Sequence, residues 1–461
     1  MRATPELDAR GGLDRLAGYP YQIASWVDDS GYPVSVAVEA VVDPSGLTVT
    51  FAAPAGLTVP SDRQVSMTGS HIRPQPGYGY DERRHVTVWG RATVGDHAVT
   101  VTARTAWGWD EREVPFFEYS ERSAPQSRKY FDALSAERGT PVKPRLSFGF
   151  LALRTTRLPF LSGTIVPIVL GILIAASHGV FDLVAAALTI VGGASVHLGL
   201  NVANDVFDTA LGADDANVTP TQFSGGSRVI QYGLVSFRQM ATIATAFYLA
   251  AGAIGLVLMA LYGSPALLVI GVAGIIISLG YTAPPLKFVY RGLGEIAVAI
   301  GFGPLMLLGA YVVQTRGTLA WEPVVASIPV ALLIALILYV NEIPDRRGDA
   351  FAGKRTLPVR FSRDAVIGGY NAAAVGAYVA LVGGVVVGVL PIPTLLMLLT
   401  IPLARQVSSG LAPNYDNPYG LMAVMGVNVK LHLLAGLLLF AAYAIVLVAG
   451  VVAPGVDLFL G

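Results

Sequence analysis

The chain has 461 residues, of which 53% are hydrophobic and 13% charged, and its formal net charge is zero. This composition indicates a membrane protein and gives no basic surplus that would favour a nucleic-acid partner. The lack of cysteine excludes a disulfide framework, a thiolate nucleophile and cysteine-ligated zinc. The N-terminus has no apolar stretch typical of a cleaved secretory signal, so we expect this part to stay in the cytoplasm.

Residues 19–110 alternate apolar and polar side chains in short runs that are separated by turn residues. This pattern is typical of β-strands, and about six strands in so short a stretch favour a small β-barrel. The predicted strands are 21–27, 34–42, 47–52, 64–69, 85–94 and 98–106. The Gly- and Pro-containing stretch 139–144 marks a boundary between an N-terminal domain, 1–145, and a second domain, 146–461.

The second domain consists of long apolar runs near the length of about twenty residues that spans a bilayer. We predict a multi-pass, all-α membrane protein with about nine spans after the N-terminal β-barrel. The predicted spans are 158–177, 183–206, 240–262, 266–283, 293–314, 324–343, 365–389, 392–404 and 431–452.

Basic residues are concentrated in alternate connections between the predicted spans. The connections after spans two, four, six and eight carry Arg228, Lys287, Arg291, Arg346, Arg347, Lys354, Arg355, Arg360, Arg363, Arg405 and Lys430, whereas the opposite connections carry only Arg316. Positive charge favours the cytoplasmic side. We therefore expect a protein of the cell membrane whose N-terminal domain and basic loops face the cytoplasm.

The second predicted span ends in a polar stripe. At about 100° of rotation per residue, one helix face carries His197, Asn201, Asn204, Asp205 and Asp208. A second cluster, Asn341, Glu342, Asp345 and Asp349, ends the sixth span and is followed by Lys354 and Arg355. Carboxylates at membrane depth are costly unless they handle ions or substrate, so the two clusters predict one shared metal and polyanion site.

Mg²⁺ is the metal that this donor set favours, because it prefers oxygen ligands and is usually held by one or two carboxylates plus phosphate oxygens. The predicted ligands are Asn204, Asp205, Asp208, Asp345 and Asp349. Nearby cations suit a diphosphate, namely Arg228, Lys287, Arg291, Lys354 and Arg355, and the backbone of residues 225–227 could donate to a phosphate. Only His197 of the six histidines lies near either cluster, which argues against zinc or copper.

Two motifs resemble those of a known family. NVANDVFDTALGAD, residues 201–214, and NEIPDRRGDAFAGKRT, residues 341–356, resemble the paired acidic motifs of the UbiA superfamily of intramembrane prenyltransferases. The resemblance covers residues 146–461. FSGGSRVIQYGLVS and YTAPPLKFVYRGLGE look most like the members that prenylate 1,4-dihydroxy-2-naphthoate in menaquinone synthesis. These members also share the position of Asp214 two residues after a glycine, and the role of that residue stays open.

The resemblance implies a reaction in which a polyprenyl diphosphate enters from the lipid bilayer and binds through Mg²⁺ to both acidic clusters. Loss of diphosphate would give an allylic cation that an electron-rich aromatic acceptor attacks. Tyr281 and Tyr290 could stabilise the cation or orient the acceptor. The candidate catalytic residues are Asn201, Arg228, Tyr281, Lys287, Tyr290, Asn341, Lys354 and Arg355.

Several alternatives stay open at this point. The acceptor could be a benzoate, homogentisate, tetrapyrrole or glycerol-phosphate lipid. An ion-coupled transporter is a non-enzyme alternative, although it would normally place its acids near the bilayer midplane. A scaffold with a membrane anchor is another, but an anchor needs no acidic clusters. His197 could simply bond a neighbouring helix, and Glu295 could be an acid favoured by a helix N-terminus. The oligomeric state is not predicted.

The N-terminal strands resemble the pyridoxamine-phosphate-oxidase-like split barrel, a fold that binds flavins. This resemblance rests on short patterns, the hairpin near residues 28–38 and the VTVWGRATV strand. It implies a flavin as cofactor, with Arg63, His71, Arg83 or Arg84 near its phosphate. The alternative is a barrel without a ligand.

Overall fold

The computed structural model describes residues 7–74, 80–143, 146–453, 456 and 458–460. It divides into two compact units, Met1–Gln126 and Ser127–Gly461. The division falls within a helix, Phe116–Arg138. The end of the predicted boundary, residues 144 and 145, lies outside the described residues.

The N-terminal unit contains a short helix, α1, and one antiparallel sheet of seven strands. Asp8 caps α1 by accepting a hydrogen bond from the N–H of Gly11 at 2.7 Å. In the sheet the strands lie in the order β2-β1-β5-β6-β7-β4-β3. Their bounds are α1 Ala9–Leu16, β1 Gln22–Val27, β2 Pro33–Val38, β3 Ala40–Asp43, β4 Thr48–Ala52, β5 Gln64–Pro74, β6 Tyr80–Val94 and β7 Ala98–Asp110.

The predicted strand 34–42 is wrong as a single strand, because it consists of β2 and β3 at opposite edges of the sheet. Only Glu39 separates the two strands. Since consecutive Cα atoms lie about 3.8 Å apart, the two edges must approach each other at this residue. The sheet therefore curls into a half-barrel, whose concave side packs on Leu13 and Leu16 of α1.

The second unit is helical. The 3₁₀ segments are Leu158–Leu161, Val289–Arg291 and Ile392–Thr400, and a π segment, Gly301–Leu305, joins α9 to α10. Helix α2, Phe116–Arg138, contains the division between the units, and the helices that follow it are α3 Phe148–Thr156, α4 Ser162–Ser177, α5 Leu183–Ala210, α6 Ala213–Ala216, α7 Phe237–Tyr262, α8 Pro265–Gly280, α9 Gly294–Ile300, α10 Met306–Gln314, α11 Trp321–Phe351, α12 Leu357–Arg360, α13 Arg363–Val386, α14 Ile401–Asn414 and α15 Pro418–Val452.

Seven helical segments in the described part of the chain are long and apolar enough to cross a membrane. The first and fourth predicted spans correspond to the shorter apolar helices α4 and α8, of 16 residues each. The multi-pass helical architecture is confirmed, and the count of nine spans stays a prediction. The seven segments are Leu183–Ala210, Phe237–Tyr262, Gly294–Gln314, Trp321–Phe351, Arg363–Val386, Ile392–Asn414 and Pro418–Val452.

Helices α5 and α11 both continue beyond the spans predicted for them. α5 ends at Ala210 rather than at residue 206, and α11 ends at Phe351 rather than at residue 343. Both acidic clusters, which end at Asp208 and Asp349, therefore lie on regular helix, where residues three or four apart share a face. The central core of the unit holds α11 in place through side chains such as Leu333, Tyr311, Tyr370 and Tyr443.

Candidate active site

The C-terminal turns of α5 and α11 border one polar cavity of about 170 Å³. The structure thus brings the two acidic clusters together, as their sequences predicted. The polar residues that line the cavity are Arg157, His197, Asn201, Asn204, Asp208, Asp214, Asn217, Ser224, Tyr281, Asn341, Glu342, Asp345, Asp349 and Lys354.

Lys354 connects the two clusters. Its Nζ atom lies 3.1 Å from Oδ2 of Asp208 on α5 and 3.8 Å from Oδ1 of Asp349 on α11. Burial by itself would lower the pKa of Lys354, but these carboxylates outweigh burial and raise the pKa well above its usual value. The ammonium group is therefore a permanent positive charge between the two acidic helices.

Asp208 has two further donors. The hydroxyl of Tyr290 donates to Oδ1 at 2.7 Å, and Nδ2 of Asn204 donates to Oδ2 at 3.2 Å. Asn204 also donates to the Thr282 hydroxyl at 2.8 Å. Burial and the charge of Asp208 raise the pKa of Tyr290, so its hydroxyl keeps its proton as a donor.

Asp205 is buried and does not belong to the residues that line the cavity. It pairs with Arg157, and the N–H of Ser227 donates to its Oδ2 at 3.1 Å. Arg157 does line the cavity, and the sequence reasoning missed it. A single arginine directly before a predicted span looks like a topology signal, so the pattern gave no hint of a site residue.

The loop of residues 225–227 joins the clusters from another side. The N–H of Gly225 donates to Oδ2 of Asp345 at 2.8 Å, and Nδ2 of Asn217 donates to Oδ1 at 2.8 Å. The loop N–H groups that were predicted for a phosphate thus serve carboxylates at Gly225 and Ser227. Gly225 and Gly226 have φ of +78° and +77°, a conformation that favours glycine. Sequence reasoning missed Asn217 as well, because an isolated loop asparagine carries no spacing signal.

Asp214 lies between these groups. It is buried, and its Oδ2 has no hydrogen-bond partner among the described residues. Burial, followed by the charges of Asp205 and Asp208, raises its pKa well above the usual range. The guanidinium of Arg228 donates to the backbone carbonyl of Asp214.

The remaining predicted residues divide into two groups. Asn201, whose Nδ2 donates to the carbonyl of Thr156 at 3.1 Å, lines the cavity together with Asn341 and Tyr281. Arg228, Lys287 and Arg355 do not belong to the lining. Lys287 lies 5.4 Å from the ring centre of Tyr290, and Arg355 is exposed while its N–H donates to the carbonyl of Tyr290 at 3.1 Å.

His197 forms a hydrogen bond with a neighbouring helix, which is one of the two roles that the sequence left open for it. Its Nδ1 lies 2.6 Å from the Thr164 hydroxyl on α4, and its ring centre lies 4.8 Å from that of Phe302. Its position is at the border of a second cavity.

This second cavity is apolar and has a volume of about 980 Å³. It lies among α5, α7, α8 and α10, and its lining includes the glycines Gly252, Gly255, Gly271 and Gly274. No atom lies within 4 Å of the position that a Cβ atom would take at these four glycines. The polar and apolar cavities share His197, Leu200, Tyr281, Val298 and Phe302 in their walls. A charged head group and a long apolar tail can therefore be accommodated side by side.

The profile of the UbiA prenyltransferase family matches residues 164–425, which include both acidic motifs. The chain belongs to the UbiA prenyltransferase family. It is therefore a multi-pass membrane enzyme that transfers polyprenyl groups, and the transporter and scaffold alternatives are not retained.

Relatives within the UbiA family have informative names. One is 2-carboxy-1,4-naphthoquinone phytyltransferase of Synechocystis sp., 29% identical over 53% of this chain and 76% of the relative. Another is 1,4-dihydroxy-2-naphthoate octaprenyltransferase of Bacillus subtilis, 25% identical over 65% of this chain and 94% of the relative. A solved UbiA homolog from Archaeoglobus fulgidus, bound to DMAPP and Mg²⁺, is 15% identical, with a TM-score of 0.46 over 64% of this chain and 99% of that chain.

The donor set of this UbiA site suits Mg²⁺ only together with a substrate. Its acidic and amide groups offer oxygen ligands, but no three His, Cys, Asp or Glu side chains of the described residues converge on one point. Asp208 on α5 and Asp345 on α11 both line the cavity. Mg²⁺ usually takes one or two carboxylates and completes its shell with phosphate oxygens and water. The site therefore fits a metal that a diphosphate helps to hold.

The four residues predicted for a flavin phosphate all have partners within the N-terminal unit. Arg63 pairs with Asp29 at 3.2 Å, and His71 lies 3.5 Å from Glu82. Arg83 pairs with Glu111, and Arg84 lies 5.9 Å from the ring centre of Tyr19. Flavin binding stays a prediction that neither the structure nor the family comparison supports.

Proposed function

We propose that this enzyme transfers a polyprenyl group from a polyprenyl diphosphate to 1,4-dihydroxy-2-naphthoate in a Mg²⁺-dependent reaction that yields demethylmenaquinol, the reduced form of demethylmenaquinone. One observation carries the proposal: a polar cavity between two acidic helices adjoins a large apolar cavity, and the two share wall residues such as Tyr281 and Phe302. The names of the relatives favour a naphthoate as the acceptor.

The donor would lie across both cavities. Its isoprenoid tail would fill the apolar cavity, where burial of apolar surface stabilises it. Its diphosphate would lie beside Lys354 and Arg157, the two basic residues that line the polar cavity in the described part of the chain. Asp208 from α5 and Asp345 or Asp349 from α11 would hold Mg²⁺ together with phosphate oxygens, and the metal, when bound, neutralises negative charge on the leaving diphosphate.

The residues of the chain would then promote the bond cleavage. The carbon–oxygen bond breaks with its electron pair going to diphosphate, whose growing charge Lys354 and Arg157 stabilise electrostatically. The first carbon of the tail would lie where the cavities meet, next to the ring of Tyr281. An aromatic face attracts a cation, and an apolar environment keeps water from trapping it.

The acceptor would then attack this carbon. A carbon–carbon bond forms to the ring, and the ring carboxylate leaves as CO₂, with its bonding electron pair returning to the ring. The cationic loops favour an active site that faces the cytoplasm, where a soluble naphthoate would reach it.

The test is an assay of the full chain, purified in detergent, with Mg²⁺, a radiolabelled polyprenyl diphosphate and 1,4-dihydroxy-2-naphthoate. We expect demethylmenaquinol, recovered as demethylmenaquinone after oxidation by air during extraction, and we expect EDTA to abolish its formation and added Mg²⁺ to restore it. Product that forms equally well in EDTA contradicts the metal assignment. Product only with a benzoate, homogentisate, tetrapyrrole or glycerol-phosphate acceptor contradicts the naphthoate assignment and keeps the transferase.

A further inference from the structure

Glu342 on α11 has no role in the reaction described so far, although it lines the polar cavity. Only 4% of its surface is exposed, and neither of its carboxyl oxygens has a hydrogen-bond partner among the described residues. It precedes Asp345 by three residues and Asp349 by seven, which places it about 4.5 Å and about 10 Å further from the end of the helix. Glu342 thus belongs to the inner part of the cavity, beyond the predicted diphosphate.

A second buried carboxyl group supports Glu342 from behind. Glu295, in the first turn of α9, is 8% exposed, and its carboxyl group is close enough to that of Glu342 for a hydrogen bond when one of the two is protonated. Its Oε1 also lacks a hydrogen-bond partner in the described part of the chain. The other titratable groups that face this pair are Tyr281, Tyr339, Asp349 and Lys354.

Two carboxyl groups can bond each other only if they share a proton, because an ionised carboxylate is solely an acceptor. A shared proton also removes one of two buried charges, which are costly in a membrane protein. This arrangement still leaves acceptor capacity on Glu342 at the cavity wall. An unused buried acceptor in a cavity is suited to a ligand that brings its own donor.

We propose that Glu342 accepts a hydrogen bond from a hydroxyl group of the aromatic acceptor, and that Glu295 positions Glu342 through the shared proton. This inference rests on the proposed function, because it assumes a hydroxylated aromatic acceptor in this cavity. The proposed hydrogen bond determines how the aromatic acceptor is oriented in the cavity. The hydroxyl points inward to Glu342, and an anionic substituent points to Arg157 and Lys354.

The hydrogen bond would also determine specificity. A site that is built to bind a substrate hydroxyl disfavours an analogue without it, because the buried partner is then left unpaired. The two monomethyl ethers of 1,4-dihydroxy-2-naphthoate each remove one hydroxyl donor. We expect the wild-type enzyme to use one of these ethers at least about a hundredfold less efficiently than the parent acceptor, as kcat/KM.

The experiment compares the full-length wild-type protein with Glu342→Met and Glu295→Gln, with the parent acceptor and both ethers. Methionine removes the carboxyl acceptor, whereas glutamine would keep a carbonyl that can accept the same bond. In Glu342→Met we expect the preference for the free hydroxyl to fall to less than tenfold and the KM for the acceptor to rise, with the KM for polyprenyl diphosphate within twofold of wild type. Glu295→Gln should reduce the preference less. The matched control is Glu322→Met, at a buried glutamate near the other end of α11, and it should keep the full preference.

A wild-type enzyme that uses the parent acceptor and both ethers equally well overturns the inference, even if no variant folds. An unchanged preference in Glu342→Met overturns it as well, while product from the wild type leaves the proposed function intact. If the wild type prenylates none of the aromatic acceptors, the proposed function fails and the inference falls with it.

Discussion

Helix α11 carries a buried glutamate near each end, and the two differ in their surroundings. Glu322 lies in the first turn and Glu342 lies about 30 Å further along the helix axis. The Tyr443 hydroxyl donates to Oε1 of Glu322 at 2.7 Å, and Nε2 of His178 lies 2.6 Å from its Oε2. Neither oxygen of Glu342 has such a partner among the described residues.

The difference separates two uses of the same side chain. Glu322 joins helices α11 and α15 to the end of α4, so its hydrogen bonds stabilise the fold. Apart from the proton that it shares with Glu295, Glu342 meets no donor beside the cavity, and such an unused buried acceptor costs stability and is kept where a ligand can supply the donor. The hydrogen-bonded carboxylate of Glu322 therefore holds the helices together at one end of α11. The carboxyl group of Glu342, near the other end, remains able to bind a substrate.

The strongest test of this comparison is at the acidic helix ends. We expect Asp208→Asn and Asp345→Asn each to lower turnover by about 10²- to 10³-fold, because each change removes a charge that the metal and diphosphate need. Turnover is measured with saturating substrates, and folding by the melting temperature in detergent. Asp215→Asn, an exposed acid next to the motif, is the control and should keep turnover. Near-normal turnover in either site variant contradicts the metal assignment.

Lys354 offers a sharper test, because its neighbour in sequence is a natural control. Lys354→Met should lower turnover by about a hundredfold, since its ammonium lies between Asp208 and Asp349. Arg355→Met should change turnover by less than about fivefold, since Arg355 is exposed outside the cavity. The sequence assigned both cations to the site. Equal losses in the two variants would restore that assignment and contradict the placement of Arg355.

The apolar cavity predicts a smaller effect, on substrate choice. Gly274→Leu adds a side chain where no atom lies within 4 Å of the Cβ position, so it should fill space in this cavity. We expect kcat/KM to shift by about tenfold in favour of shorter polyprenyl diphosphates. Gly368→Leu on α13 also meets open space but lies outside both cavities, and it should leave the preference unchanged. A common loss for all donor lengths in Gly274→Leu argues against a tail in this cavity.

The smallest effect is expected at the N-terminal end of α11, where Glu322 is hydrogen-bonded to His178. The hydrogen bond with Glu322 and, less strongly, its charge raise the pKa of His178 above its usual value, against the opposing effect of burial. A raised pKa in the folded state means that this interaction stabilises the protein fully below about pH 6.5 and is lost as the pH rises through the folded-state pKa. His178→Gln should lower the melting temperature by about 2–4 °C at pH 6 and by less at pH 9.

Turnover of folded His178→Gln should equal that of the wild type, since His178 lies at the opposite end of the bundle from the acidic motifs. A melting temperature difference that grows with pH would contradict the assigned charge state. Lost turnover in a protein that remains folded would contradict the division between the two ends of α11.

The sequence predicted most of the helical unit, because apolar length and helical spacing are local properties. The spacing of Asp205 and Asp208, and of Asp345 and Asp349, depends only on helix geometry, so the prediction of two facing acidic clusters agreed with the structure. Arg157 and Asn217 were missed because their contacts with Asp205 and Asp345 join residues far apart in sequence. Asp205 was predicted as a metal ligand for the same reason. Its position in the motif does not reveal that its carboxylate forms an ion pair with Arg157.

The half-barrel is a second case in which contacts between distant residues could not be predicted from the local sequence pattern. From Val34 to Asp43 the side chains alternate strictly between more and less exposed, with no interruption at Glu39. A single strand was therefore the natural prediction. The break at Glu39 arises because β2 pairs with β1 while β3 pairs with β4. Pairing partners are a property of the whole sheet, and alternation along one strand cannot reveal them.

The loop of residues 225–227 also has a consequence for how freely its sequence can vary over evolution. It holds the two acidic helix ends through backbone N–H groups at Gly225 and Ser227, and such donors do not depend on side-chain identity. A Cβ atom at residue 226 would lie 2.8 Å from Oδ1 of Asp214, and one at residue 225 would lie 2.7 Å from Cβ of Pro220, so both glycines are constrained. The Ser227 hydroxyl has no partner among the described residues, so alanine would preserve the contact with Asp205. Drift in this loop is therefore restricted by backbone shape at two positions and permitted at the third.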